Sequence, residues 1–362
     1  MEKLYKEIES TMSRIESKWQ KINYSTDHFP EVVWKETSSL DLSALGEVSN
    51  QLKLLDMPGV RFQQQRSTFS DLYVQIFHNG RFMIEILNWW GGHVNVHDHD
   101  FSAVQFQLKG DALNVVYDFK AEQETGALRF GSLNVRESEI WKEGGRSIVR
   151  PGDVDPHSVF HIGEPTTSLL IRTIATPRYG AQSNYFPTLA AHYYVSNDIQ
   201  RKKLTALGLL SRKASKEFRM NLEKFLDTQS LSENFFMLIK LGSLLLQEDY
   251  SDILQNYADK GSLEKKLVDS VVLNNGIDFF KTKANETSDL NYDEKLAAFA
   301  VSASCNLGNL QKVISQLGNT VNPERISSGL KSFLTKLDSG DQAVAEGYLD
   351  IFGMAEFANE KV

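Results

Sequence analysis

Between residues 58 and 178 the chain is cut by closely spaced turn signals into short runs rich in Val, Ile, Phe and Tyr. No other feature limits the fold as tightly. The punctuation is Asn79-Gly80, Gly91-Gly92, Lys109-Gly110-Asp111, Glu143-Gly144-Gly145 and Pro151-Gly152. Glycine, asparagine and proline at such places adopt backbone angles that end a strand and reverse the chain. Several short strands at this spacing predict an antiparallel sandwich or barrel. The clearest single strand is Phe82-Met83-Ile84-Glu85-Ile86-Leu87-Asn88-Trp89-Trp90.

The texture on either side is different. Over residues 1–22, Leu4, Ile8, Met12, Ile15 and Trp19 recur at spacings of three and four, which predicts an amphipathic helix. After about residue 195 the strand signals stop. Leu204, Leu207, Leu209 and Leu210 open a helical pattern, and Asp289-Leu290-Asn291-Tyr292-Asp293-Glu294 and Asn322-Pro323-Glu324 have the capping residues and early acids of helix starts. At 362 residues the chain is long for one core. The expectation is a multidomain α+β protein. Residues 1–57 would form the N-terminal helix and lead-in, 58–195 an antiparallel β-barrel, and 196–362 an all-α domain.

Bulk properties exclude some roles. The formal net charge is −8, which gives no support to nucleic-acid binding, since that needs a basic patch. Cys305 is the only cysteine, so no internal disulfide can form and a reducing compartment is expected. The N-terminus is charged from its second residue and has no apolar signal core. No run approaches the ~18–20 apolar residues of a membrane span. A cytoplasmic chain that does not contact membranes is the expectation.

Within the β region, five of the eight histidines fall in two stretches: His93, His97 and His99, then His157 and His161. An H-x-H pair on a strand puts both imidazoles on one face, because side chains alternate with period two. A third histidine from a distant strand then completes a three-nitrogen site for a first-row transition metal. His97, His99 and His157 are the expected ligands, and Pro156 suits a turn leading His157 into its strand. His93 and His161 are expected in supporting or structural places. If the first strand continues without a bulge, Ala103, Gln105 and Gln107 share the histidines' parity.

The pattern Gly91-x5-His97-x-His99, then Gly110, then Pro151-Gly152 and His157 resembles the two motifs of the cupin superfamily, which implies a jelly-roll barrel. That family normally carries a glutamate ligand four or five residues after the second histidine, where this chain has Ala103 and Val104. In this it is similar to the three-histidine thiol dioxygenases related to cysteine dioxygenase. Asn79-Gly80-Arg81-Phe82, Ile86-Leu87-Asn88-Trp89 and His157-Ser158-Val159 extend the resemblance over about residues 70–178. What the resemblance implies is a mononuclear non-haem iron(II) oxygenase acting with O2. There are departures. The strand Leu72-Tyr73-Val74-Gln75 lacks the family's substrate-binding arginine, no cysteine is placed for its thioether crosslink, and Arg172 stands where its active-site tyrosine is expected. Cysteine is therefore a poor fit as the substrate, and the expectation is another small polar metabolite, for example one bearing a carboxylate or a thiol.

Two further residues are candidates for the chemistry. Arg172 lies in the apolar run Ser168-Leu169-Leu170-Ile171-Arg172-Thr173-Ile174-Ala175, where an unpaired charge is expensive. It could anchor a substrate carboxylate through its fork of donors or pair with a nearby acid. Gln105 could orient substrate or simply fill a strand. Fe2+ is the expected metal, with other divalent transition ions open. A Lewis-acid isomerase or lyase and a non-catalytic ligand-sensing cupin are the competing functions. The helical half could cover the barrel mouth, supply substrate contacts or form a homodimer interface.

Overall fold

Every residue of the strand Phe82–Trp89 is buried, on both of its faces. The reason is what covers the outer face. A computed structural model describes the chain except residues 68, 92–94, 193–196, 319 and 360–362, and the side chains of 358 and 359. Among the described residues, four α-helices precede the strands, α1 (Glu2–Gln20), α2 (Phe29–Glu36), α3 (Val48–Leu55) and α4 (Pro58–Arg61), with a 3-10 turn at Ser43–Gly46 between α2 and α3. On α1 Leu4 of the predicted stripe is half-buried, while Ile8, Met12, Ile15 and Trp19 are buried, with Ile8, Met12 and Ile15 inaccessible. Each such side chain contributes about 1.5–3 kcal/mol. They share one core with Phe82, Ile84 and Ile86, and with Val104, Leu169 and Ile171 from neighbouring strands. Helices α1–α3, and the short α4 that follows them, thus cover one face of a sheet.

Among the described residues, eleven strands follow: β1 (Leu72–His78), β2 (Phe82–Trp89), β3 (Val96–His99), β4 (Ala103–Lys109), β5 (Ala112–Thr125), β6 (Leu128–Trp141), β7 (Arg146–Val149), β8 (Gly152–His161), β9 (Thr166–Thr173), β10 (Ser183–Phe186) and β11 (Leu189–His192). Among the described residues, β1–β2, β2–β9, β4–β9, β4–β7, β5–β8, β3–β10, β10–β11 and β6–β11 pair antiparallel. One sheet has the order β1-β2-β9-β4-β7, and the remaining strands close as a barrel in the order β10-β11-β6-β5-β8-β3. The β5–β6 hairpin turns at Gly126, whose φ is +60°. Beyond the turn, a Cβ on Gly131 would lie 2.1 Å from the Lys120 carbonyl oxygen, so only glycine fits there.

Two sequence expectations need correction. The H-x-H strand does not run on into Ala103: β3 ends at His99, and β4 begins four residues later in the other sheet. His157 is not at the head of a strand but in the middle of β8, with Asp155 and Pro156 inside it. Pro156 lacks an N–H, yet β8 accommodates it before the stretch His157–His161 that pairs with β5.

Among the described residues, ten α-helices come after the strands: α5 (Asp198–Lys213), α6 (Ser215–Thr228), α7 (Leu231–Leu245), α8 (Ser251–Ala258), α9 (Ser262–Glu286), α10 (Tyr292–Ser304), α11 (Leu307–Leu317), α12 (Pro323–Lys336), α13 (Ser339–Ile351) and α14 (Ala355–Asn359). The expected caps are present. Asn291 caps α10 reciprocally with Glu294, and Asn322 caps α12 with Pro323 in its first turn. No helix among the described residues is long and apolar enough to cross a membrane.

The chain divides into two compact units. One comprises Met1–Val94, Asp98–Val116 and Ser138–Ala181, and its main core lies between the leading helices and the outer face of the five-stranded sheet. The other comprises Asn95–His97, Tyr117–Glu137 and Gln182–Val362. Its core joins Leu128, Phe130 and Leu189 of the strands to Phe218, Leu238 and Leu267 of the helices.

Candidate metal centre

The opposite face of the five-stranded sheet is polar. Alternation along β2, β4 and β9 puts Glu85, Gln105, Gln107 and Arg172 there, among Leu87, Trp89, Ala103 and Leu170. Arg172 and Glu85 form a forked pair: Nε donates to Oε2 at 2.7 Å and Nη2 to Oε1 at 2.7 Å. The Tyr73 hydroxyl also donates to Glu85, at 2.7 Å. Burial raises the Tyr73 phenol, and the Glu85 carboxylate raises it further, so it remains a donor. Of the two roles open to Arg172, the geometry shows the ion pair. Gln105 is held at both ends of its amide, donating to Gln107 at 2.8 Å and accepting from Ser147 at 3.0 Å.

The three predicted ligands come together. The ligand nitrogens of His97, His99 and His157 lie within 4.8 Å of one another, and all three residues are at least nine-tenths buried. His97 and His99 come from β3, whose register is set by pairing of His97 with Asn184 on β10. His157 comes from β8, where it pairs with Val116 of β5.

Two of the rings are oriented by oxygen acceptors. His97 Nδ1 lies 2.8 Å from the Asn95 carbonyl oxygen, and His157 Nδ1 lies 2.9 Å from Asn114 Oδ1. An N–H at Nδ1 in each leaves the Nε2 lone pair for a cation, the usual arrangement behind a metal-bound imidazole. Three neutral imidazoles suit a first-row divalent ion. The residues fit a metal.

Aromatic rings wall the site. The His99 and His157 centroids are 5.0 Å apart, Phe101 packs 4.7 Å from His99, and Trp141 lies 6.1 Å from His157. Phe101 also lies 4.5 Å beneath the Arg172 guanidinium. A single ring therefore separates His99 from the Arg172–Glu85 pair. His161 stacks on Trp89 with centroids 4.6 Å apart. His93 lies outside the described residues. Burial also pushes Asp100 up, against the opposing effect of Arg172.

Two further titratable residues lie apart from this chemistry. The Tyr117 hydroxyl donates to the Ala303 carbonyl at 2.8 Å. Burial pushes the Cys305 thiol up to about 12, so it stays protonated and is a poor nucleophile. Asn114, Asn95 and Glu85 were not identified from the sequence. Asn114 and Glu85 shared one available signal, a lone polar residue inside an apolar strand run.

No protein-family model matches the chain, and no curated protein matches it in sequence. Among solved structures, the DMSP lyase DddQ from Ruegeria pomeroyi is 13% identical over 38% of this chain and 76% of its own, with a TM-score of 0.24. A conserved protein with a double-stranded β-helix domain from Klebsiella pneumoniae is 14% identical over 38% and 96%, with a TM-score of 0.22. The hydroquinone 1,2-dioxygenase PnpCD, solved with Cd2+ and 4-hydroxybenzonitrile, is 14% identical over 32% and 69%, with a TM-score of 0.24.

Proposed function

We propose that this chain is a mononuclear non-haem iron(II) oxygenase of the cupin type, oxidising a small polar metabolite other than cysteine with O2. The observation that carries the reading is the buried group of three histidines, two of them oriented at Nδ1 by oxygen acceptors. The cupin-like sequence motifs around His97, His99 and His157 support the same reading. Fe2+ bound there would retain its full charge and open positions for substrate and dioxygen, and would pass electrons from the substrate, which is oxidised, to O2, which is reduced.

The protein's own residues set the conditions. Asn95 and Asn114 keep His97 and His157 in one tautomer. Phe101 and Trp141 flank the rings and limit water. Arg172 and Glu85 neutralise each other beside Phe101, and Gln105 is tied into the strand network. In this reading Arg172 and Gln105 form a polar, charge-balanced wall for substrate. A substrate carboxylate would have to share the guanidinium with Glu85, so a hydroxyl- or thiol-bearing metabolite fits this wall better.

The test is metal analysis of protein purified without added metal, combined with an oxygen-uptake screen of thiols, amino acids and small carboxylates. The expected result is bound iron and substrate-dependent O2 consumption that His97→Ala abolishes. A chain that carries zinc, nickel or manganese and turns over substrate without O2 would instead be the Lewis-acid isomerase or lyase.

A further inference from the structure

Lys281, on α9, is one of the most deeply buried charged residues described, with its side chain only 2% exposed. Its ammonium reaches two oxygens: Asp278 Oδ1 at 3.1 Å and Asn95 Oδ1 at 3.1 Å. The Asp278 side chain is 44% exposed, so much of its charge is spent on solvent. Taking an ammonium out of water for one solvated carboxylate and one amide is a poor exchange, and an apolar side chain of similar length would fill the space at lower cost. A role in stability does not account for Lys281.

What Lys281 holds is more informative. Asn95 immediately precedes β3, and its carbonyl oxygen accepts from His97 Nδ1 at 2.8 Å. The Asn95 side chain is tied to Lys281 while its backbone orients His97. We propose that Lys281 is a positioning residue for the ligand His97, acting from α9 through Asn95. The tie fixes the Asn95 peptide, the peptide fixes the tautomer and angle of the imidazole, and Nε2 is presented to the cation. This gives the helical region a part in the metal centre. Outer partners of this kind typically change metal affinity by about 10–100-fold. The inference rests on the metal-centre reading above.

The experiment is a Co2+ titration of the metal-free, full-length protein, followed by visible absorption, because the ligand-field bands report the number and angle of imidazoles directly. Lys281→Met is expected to melt at or above the wild-type temperature, to bind Co2+ about 10–100-fold more weakly, and to show shifted bands. Lys281→Arg, which can still donate to Asn95 Oδ1, should restore the wild-type spectrum. Asn95→Ala keeps the carbonyl but removes the tie, so it should weaken binding to the same extent. Combining it with Lys281→Met should add nothing, as expected of two residues acting through one contact. If folded Lys281→Met binds Co2+ with wild-type affinity and spectrum, the positioning role is overturned. If the wild-type protein itself gives no Co2+ bands, the metal centre is overturned, and this inference with it.

Discussion

At the residue scale, the most consequential pair besides the histidines is Arg172 with Glu85. Their side chains are 21% and 6% exposed, and both hydrogen bonds of the fork are 2.7 Å long. Breaking such a pair from one side leaves an uncompensated charge, whereas removing both halves is often neutral. Arg172→Met is therefore expected to cost about 3–5 kcal/mol in denaturant unfolding, and Glu85→Met with Arg172→Met to recover most of that loss. The Tyr73 hydroxyl would retain Gln75 Oε1, 3.3 Å away. Equal losses in the single and double variants would show that the residues do not act as a pair. Asn114 makes a second prediction. Asn114→Ala removes the Oδ1 acceptor from His157 Nδ1 and should weaken Co2+ binding about 10–100-fold, read by the same titration. The ligands could be read from sequence because H-x-H on a strand has one geometric meaning. Arg172's partner could not, because Glu85 lies 87 residues earlier and only sheet pairing joins them.

At the scale of elements, local chemistry was legible and long-range pairing was not. The α10 start was readable because Asn291 and Glu294 satisfy each other's backbone within four residues. The break at residues 100–102 was not, since one polar turn gives no indication that the next strand joins another sheet. Glu294 also shows how an element is held. It is buried, its carboxylate accepts from Lys336 Nζ and from the Asn291 N–H, each at 2.7 Å, and it accepts from the Ser332 hydroxyl as well. Burial pushes its carboxyl up, but Lys336, Ser332 and the Asn291 N–H together outweigh that and hold it below the usual carboxylate range. A carboxyl depressed in the folded state stabilises the fold above its unfolded value, and that contribution is lost as pH falls through the folded value. Glu294→Gln should thus lower stability near neutral pH by about 1.5–3 kcal/mol. It should also flatten the acid limb of the stability–pH curve below about pH 4.3. An acid limb identical to wild type would remove Glu294 from the account.

For the whole molecule, the succession of a β region and a helical region was legible because hydrophobic period changes along the chain. The division into compact units was not, since Asn95–His97 and Tyr117–Glu137 group with residues far away in sequence. Whole-molecule stability should nonetheless report the three-histidine site, because binding to the folded state alone stabilises it by mass action. Free metal a hundredfold above its dissociation constant adds about 2.7 kcal/mol. For a unit of 150–250 residues, each kcal/mol shifts the midpoint by about 2–4 °C. A chain with two compact units can unfold in more than one step, so scanning calorimetry that resolves each transition is the right measurement. Anaerobic Fe2+ or Co2+ should raise one midpoint by several degrees, in proportion to the logarithm of free metal, and a chelator should reverse the shift. His97→Ala and His157→Ala should both abolish it, while a double Met replacement of Arg172 and Glu85 should leave it intact. If no first-row divalent ion moves any transition, the histidines are structural residues and the metal centre is refuted.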